Sequence, residues 1–386
     1  MANGSKQATR TKRYFISDIH LTDEASHKQP RGRHAYAWIT GDRIKLLGKF
    51  LDDLLKDSTT RDVVILGDLF DNWLCPASGK PSVLEDIVNA KTNEPVIKAL
   101  RAFEKSDVNL FYVYGNHDMT MDKNELLGSI KGMKIIGDGR QAGVFRPGLL
   151  AAEHGHKYGL FNAPDTKHVG SYLPSGYAIT RMVAENSAKT GKSTGSFDDM
   201  ISAVKDALEH IEEPLVEQVL EGLARVYGFD NPDFIMPQGD KKSLDDMVKL
   251  HGDDYKVWGK DTNGVKALTA VLDDMGSWGG NLGQAVEDVY FNNEGAKIVV
   301  FGHTHVPALR TFPENPYLID DSGNRSDPEC EAIYANSGSW VDSCKKATWV
   351  ETEKDPVAKK HWVRLRWYDE KGNKKKTLKE SFVPTS

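Results

Sequence analysis

The apolar positions of this chain follow two periods. Ile298, Val299, Val300 and Phe301 form an unbroken run that stops at Gly302 and leads into His303, Thr304 and His305. A short run bounded by glycine fits a buried strand better than a helix. The arrangement recurs three times upstream. Residues 14–17 lead into Asp18-Ile19-His20, residues 63–66 into Gly67-Asp68-Leu69-Phe70-Asp71, and residues 108–114 into Gly115-Asn116-His117-Asp118. Shorter strands are expected at 133–136 and 143–151, the second running into Glu153-His154-Gly155-His156. Past His305 the pattern predicts strands over 332–335, 347–351 and 362–368, with a hairpin turn at 370–373 and Lys374, Lys375 and Lys376 on a solvated strand edge.

Elsewhere the period is helical. Residues 42–56 place Ile44, Leu47, Phe50, Leu51, Leu54 and Leu55 on one stripe, and 84–104 carry a second stripe broken at Pro95. Residues 21–40 read as a polar, irregular loop. From about 162 to 280 the chain changes character. A polar linker at 191–195 is followed by helical spacing over 196–227, with Pro214 opening a new helix, and again over 244–258, 265–275 and 282–291. Strand-end histidines on both sides of this stretch predict one α/β core, 1–160 and 292–386, with a mainly helical cap or lid inserted at 161–291. Gly191-Lys192-Ser193 has the ending of a phosphate-binding loop, but Asn186 stands where that loop needs a glycine.

Composition narrows the function classes. With 386 residues, 39% hydrophobic and 27% charged, the chain has the balance of a soluble globular protein. A net charge of -6 argues against nucleic acid held by bulk positive charge. No stretch approaches the roughly 18 apolar residues of a membrane span. The first 13 residues are polar and basic and lack the apolar run of a signal peptide. Cys75, Cys330 and Cys344 give an odd count without Cys-x-x-Cys spacing, so neither a disulfide framework nor a structural zinc site is expected. The cytoplasm is preferred; a mature secreted or periplasmic form would look the same.

The strand ends carry the chemistry. Residues two apart in an extended segment share a face, so Asp18 and His20 can serve one metal ion, as can His303 and His305. Each pair read alone is equally a turn aspartate or a solvated loop histidine. Asp68 is either a metal bridge or a helix N-cap. Asn116 can offer its carbonyl oxygen to a metal and His117 can act as an acid; Gly115-Asn116 alone is also simply a turn. One or both of His154 and His156 can be ligands.

Taken in order, D-x-H at Asp18, GDxxD at Gly67, GNHD at Gly115, the histidine at 154 and GHTH at Gly302 resemble the calcineurin-like metallophosphoesterase superfamily. The resemblance implies an α/β fold, a four-layer α/β/β/α sandwich with a two-metal centre at its strand ends. It implies one metal on Asp18, His20, Asp68 and His305, and a second on Asp68, Asn116, His154 and His303, with Asp68 bridging. Two divalent or mixed-valence ions are implied, and Asp/Asn/His donors suit Mn, Fe or Zn. The implied chemistry is phosphate-ester hydrolysis by a metal-bridging hydroxide, with His117 as acid and Asp71 orienting it. His156 would touch substrate or another ligand. Asn162 would line the cleft, and Arg181 is either a phosphate clamp or a helix-surface arginine.

The stretches GDLFDNW and SDIHL look similar to UDP-2,3-diacylglucosamine pyrophosphatases, which act on a nucleotide-sugar lipid. That branch has arginine where this chain has His117, and lacks an insertion of this shape. The expected activity is therefore a phosphodiesterase or phosphatase acting on a small-molecule phosphoester. The alternatives are the lipid pyrophosphatase, a nuclease, or a catalytically degenerate metal-binding scaffold. Oligomeric state is left open.

Overall fold

Strand β1 (Lys12–Ile16) opens the fold, and α1 (Gly41–Lys56) returns the chain to β2 (Thr60–Leu66). Helices α2 (Leu84–Asn89) and α3 (Glu94–Ala102) lead to β3 (Asn109–Val113), and α4 (Lys123–Ser129) to β4 (Met133–Ile136) and β5 (Leu150–Ala152). Helices α5 (Ser175–Thr190) and α6 (Leu215–Val226), the hairpin β6 (Phe234–Ile235) and β7 (Lys241–Lys242), and α7 (Leu244–His251) follow. Then α8 (Gly280–Ala285) runs into a π-helical stretch, Val286–Asn293. The chain closes with β8 (Ile298–Phe301), β9 (Ala308–Phe312), β10 (Leu318–Ile319), β11 (Arg325–Ser326), β12 (Ala332–Asn336), β13 (Thr348–Asp355), β14 (Lys360–Tyr368) and β15 (Lys375–Pro384). This computed structural model describes residues 10–24, 26, 39–159, 161–164, 173–190, 215–251, 280–312, 318–319, 325–326, 330–342, 344–368 and 375–385. Most of the expected loop at 21–40, the linker at 191–195, the expected helical residues 196–214, 252–258 and 265–275, and the turn at 370–373 lie outside the described residues.

Two sheets form the core. One has seven strands in the order β15-β14-β13-β1-β2-β3-β4; the other has four, β5-β8-β12-β9. Strands β1 to β4 are mutually parallel, so their carboxyl ends open on one edge. Strands β5, β8 and β12 are parallel in the second sheet. Alternation then decides the layers. Phe15, Val64, Leu66 and Val113 face inward and meet Ala152, Ile298, Val300, Ile333 and Ala335. The intervening Tyr14, Ile16, Val63 and Ile65 face outward onto Ile44, Leu47, Phe50 and Leu51 of α1. Across the second sheet, Ala151, Val299, Phe301 and Tyr334 pack against Leu282, Val286 and Tyr290. Helix, sheet, sheet and helix give four layers, with the central strands β1, β2, β8 and β12 buried on both faces. That is why the strands read as continuous apolar runs.

One expectation needs correction. The strand at 143–151 is only Leu150–Ala152. Pro147 and Gly148, the latter at φ 71°, turn the chain, so Phe145 makes just one antiparallel bridge, to Ala152. Leu282, Val286 and Tyr290, from the expected helical stretch at 282–291, form the helical layer on the second sheet.

The stretch that follows the first half of the core has its own apolar cluster. Phe161, Tyr177, Met182, Val219, Leu223, Phe234 and Met247 pack together with Trp73, Ala77 and Met119 from the core segments. Helix α5 escaped the sequence reading because it is buried on nearly every side, from Ser175 and Gly176 to Glu185 and Ser187, and so shows no clear stripe.

Candidate metal centre

Each candidate ligand stands where a buried strand ends. Asp18 and His20 follow β1, Asp68 and Asp71 follow β2, and Asn116 and His117 follow β3. His154 follows β5, while His303 and His305 follow β8. The backbone at these points is unusual. Asp18, His20, Asp68, His303 and His305 all have positive φ, between 51° and 70°. Non-glycine residues hold such angles at a cost of about 1–3 kcal/mol each, and they cluster where side chains must be aimed.

The aim is mutual. His305 Nε2 lies 3.2 Å from Asp18 Oδ1 and 3.2 Å from His20 Nε2. His20 Nε2 is 3.7 Å from Asp68 Oδ2, and His154 Nε2 is 3.3 Å from the same oxygen. Asn116 Oδ1 approaches His154 Nε2 to 3.1 Å. Three clusters of possible metal donors result: Asp18 with His20 and His305, Asp18 with Asp68 and His154, and His20 with Asp68 and His117. Asp18, Asp68 and His20 each belong to two, so the clusters merge into one centre. His303 joins from the side, its ring centroid 5.1 Å from that of His154 and its backbone N–H donating to Asp18 Oδ2 at 3.0 Å.

Neighbouring bonds fix which ring nitrogen faces the centre. His154 Nδ1 is 2.6 Å from the Leu66 carbonyl and must donate to it, leaving Nε2 as a lone-pair donor. His20 Nδ1 is 2.8 Å from Asp71 Oδ2, leaving its Nε2 likewise. These donors fit a divalent metal on two further counts. Asp18 Oδ1 is buried without a hydrogen-bond partner among the described residues. Two buried carboxylates, Asp18 and Asp68, at 0% and 1% exposure, would also be costly to hold together without cations.

The buried carboxylates favour positive charge beside them, whether a proton on a facing ring or a metal ion. Burial pushes the Asp68 carboxyl up, but His154, His117 and His20 outweigh it and hold it well below the usual carboxylate range. Burial opposes the charged form of His154, yet Asp68 and Asp18 raise its imidazole to about 9. Burial and then neighbouring His154 and His303 push His156 well below the imidazole range.

At the rim, His117 keeps 15% of its side chain exposed. Its Nδ1 lies 3.0 Å from Asp71 Oδ2, so Asp71 serves both His20 and His117 through one oxygen. The other oxygen of Asp71 accepts the backbone N–H groups of Trp73 and Leu74 at 2.8 and 3.0 Å. Burial favours a neutral Asp71, but His117 and His20 keep its carboxyl below the usual range. Burial lowers the imidazole of His117, and Asp71 and Asp68 more than reverse this and raise it.

The remaining candidates divide. Asn162 Oδ1 accepts from Asn116 Nδ2 at 3.1 Å, which turns the carbonyl oxygen of Asn116 toward His154. His156 is buried, with its ring 5.2 Å from that of His154, and its Nδ1 has no hydrogen-bond partner among the described residues. Arg181 is neither a phosphate clamp nor a surface residue. It is fully buried, and its guanidinium donates to the carbonyls of Cys75, Pro76, Ala77, Gly79 and Ile235 and to Tyr177 Oη. No N–H remains for a phosphate.

Several supporting residues were not singled out from sequence. Asp118 accepts from Gly115 N–H and Leu69 N–H, both at 2.8 Å, and so ties two of the ligand loops together. Ser17 donates to Asp18 Oδ2 and sits 2.6 Å from Ser337 Oγ, and Ser339 Oγ donates to the Asp18 carbonyl at 2.8 Å. The available signal was the small polar run Asn336-Ser337-Gly338-Ser339 directly after a strand.

A family profile described as calcineurin-like phosphoesterase matches residues 11–307. No curated protein matches the chain. Among solved structures, the chain is similar to a single-mutant Vps29 from Entamoeba histolytica, at 11% identity and TM-score 0.29, with 97% of this chain and 99% of that one covered. It is similar also to Vps29 of Chaetomium thermophilum, at 8% identity and TM-score 0.30 with 98% and 100% covered. A third is GAP50, the anchor in the inner membrane complex of Plasmodium, at 11% identity and TM-score 0.33 with 97% and 90% covered. Scores this low carry no argument about function.

Proposed function

The chain belongs to the calcineurin-like phosphoesterase family, and from that premise we propose that it is a two-metal hydrolase of small-molecule phosphate esters, diesters or monoesters. One observation carries the reading. Carboxylate, amide and imidazole donors from five strand ends meet around Asp68, with the partly exposed His117 held at their rim.

Asp18, His20, Asp68 and His305 would hold one metal ion; Asp68, Asn116, His154 and His303 would hold the other. Such ions, Mn, Fe or Zn by donor type, supply an acidified water and neutralise charge on a phosphoryl oxygen. The protein's own groups do the rest. Leu66 and Asp71 fix the ring tautomers of His154 and His20. Asn162 turns Asn116. Hydrolysis forms one P–O bond from water and breaks the P–O bond to the leaving alcohol, whose oxygen takes a proton. His117 would give that proton from Nε2, a reading supported by Asp71 engaging Nδ1 and raising the ring toward its protonated form. Solvent takes up the proton that the attacking water gives up and returns one to His117.

The experiment compares bis-p-nitrophenyl phosphate with p-nitrophenyl phosphate, on protein stripped and reloaded with Mn, Fe or Zn, with Asp68→Asn as control. Metal-dependent turnover that Asp68→Asn abolishes is the expected result, and the diester-to-monoester ratio then directs the substrate search. Two bound ions with no turnover on either ester would sink the proposal in favour of a binding scaffold.

A further inference from the structure

The ring of His117 is held from more than one side. Asp71 takes its Nδ1, and the ring of His20 stands edge-on at a centroid distance of 4.7 Å and 86°. One face is covered by the indole of Trp73, stacked at 4.8 Å and 30°. Trp73 is fully buried, and its Nε1 has no hydrogen-bond partner among the described residues. A buried indole N–H without a partner costs roughly 1–3 kcal/mol. At this position the indole contributes its wide apolar face, against which the imidazole ring of His117 lies stacked.

Trp73 is itself gripped from the far side. Tyr177 of α5 meets it edge-on at 5.6 Å and 84°. The loop that follows, 75–79, is tied to α5 by the Arg181 guanidinium and by Ser78 donating to Glu185 at 2.7 Å. Ile235 N–H adds a bond to the Ala77 carbonyl at 3.0 Å. Because the backbone N–H of Trp73 donates to Asp71 Oδ1, the indole and the carboxylate that hold His117 belong to one braced turn.

We propose that Trp73 is a positioning residue for His117: its indole face and Asp71 together set the imidazole plane that aims Nε2 at the leaving-group oxygen, and α5 reaches the reaction through this indole. The inference rests on the reading of His117 as the acid. It assigns the inserted helices a role as a fixed buttress behind that acid.

The test uses paired substrates on the metal-loaded full chain. One has p-nitrophenol as leaving group, which departs without needing a proton; the other has an alkyl alcohol, which needs one. Trp73→Leu should lower kcat on the alkyl ester by on the order of 10- to 100-fold, with p-nitrophenyl turnover within about threefold and KM little changed. Trp73→Phe, which keeps an aromatic face, should recover most of the loss. If Trp73→Leu does not fold, Trp73→Phe carries the same comparison with a smaller differential of about three- to tenfold. His117→Ala separates the two layers of the argument. If it shows the leaving-group dependence and the Trp73 variants do not, the positioning role is overturned and the acid reading stands. If His117→Ala shows none, the acid reading fails and takes the proposal with it. Equal losses on both esters, or a change in KM alone, would reduce Trp73 to packing.

Discussion

On the proposed two-metal reading, substituting Gly115 by alanine should empty the centre without replacing any of its proposed ligands. The backbone of Gly115 runs directly against the Asp68 side chain. A Cβ there would overlap Asp68 Oδ1 and stand 2.5 Å from Asp68 N and 2.8 Å from its Cγ. Ordinary contacts would require the two loops to separate by about 1 Å, and overpacking of that kind costs roughly 1–3 kcal/mol. The loops have little freedom to part. Asp118 bonds both Gly115 N–H and Leu69 N–H, and His117 N–H donates to Asp68 Oδ1 at 2.9 Å. The displacement therefore falls on the Asp68 carboxylate. If Asp68 bridges the proposed metals, moving it by about 1 Å is expected to lower turnover about 100-fold. The assay is bound metal per chain by elemental analysis, read beside turnover of p-nitrophenyl esters and a urea midpoint. Gly128→Ala is the control, since a Cβ there has nothing within 4 Å and the site lies in α4. It should leave activity intact and hold or raise stability by up to about 1 kcal/mol. Gly115→Ala protein with full metal content and unchanged turnover would refute the reasoning.

Arg181→Met keeps the aliphatic stem but strips the donors from five carbonyls, one buried and four partly buried, so a loss of about 2–4 kcal/mol is expected in denaturant unfolding; a loss below about 1 kcal/mol would mean those carbonyls find other donors. His361 supplies a pH dependence. It is 8% exposed, and burial, with Arg13 and Lys354 nearby, lowers its imidazole from 6.5 to about 4. The folded chain keeps it neutral while the unfolded chain protonates it, so its contribution is fully present above pH 6.5. That contribution is lost as pH falls toward 4, reaching about 3 kcal/mol. The stability difference between His361→Leu and the parent should therefore move in the variant's favour by about that amount from pH 7 to 4; a pH-independent difference would refute the burial effect.

Local features of the sequence already fixed much of this protein. Apolar runs that stop at Gly67, Gly115 and Gly302 mark strand ends, because a strand buried on both faces cannot carry polar residues until it leaves the sheet. The Asp, Asn and His residues just past those stops were therefore readable as one candidate site, and their order gave the family. Packing decided what followed. Nothing local shows that Asp71 shares one oxygen between His20 and His117, because those residues are 51 and 46 positions away along the chain. Arg181 looks like a surface or phosphate-binding arginine until the loop at 75–79 folds over it and takes every N–H. Helix α5 has no stripe to read because it is covered on nearly all sides. Residues 282–291 are helical by period, but only their contact with Val299, Phe301 and Tyr334 assigns them to the core's outer layer. Periodicity records which face of an element is covered; which element covers it, and which long-range partner takes each polar atom, is set by the tertiary fold.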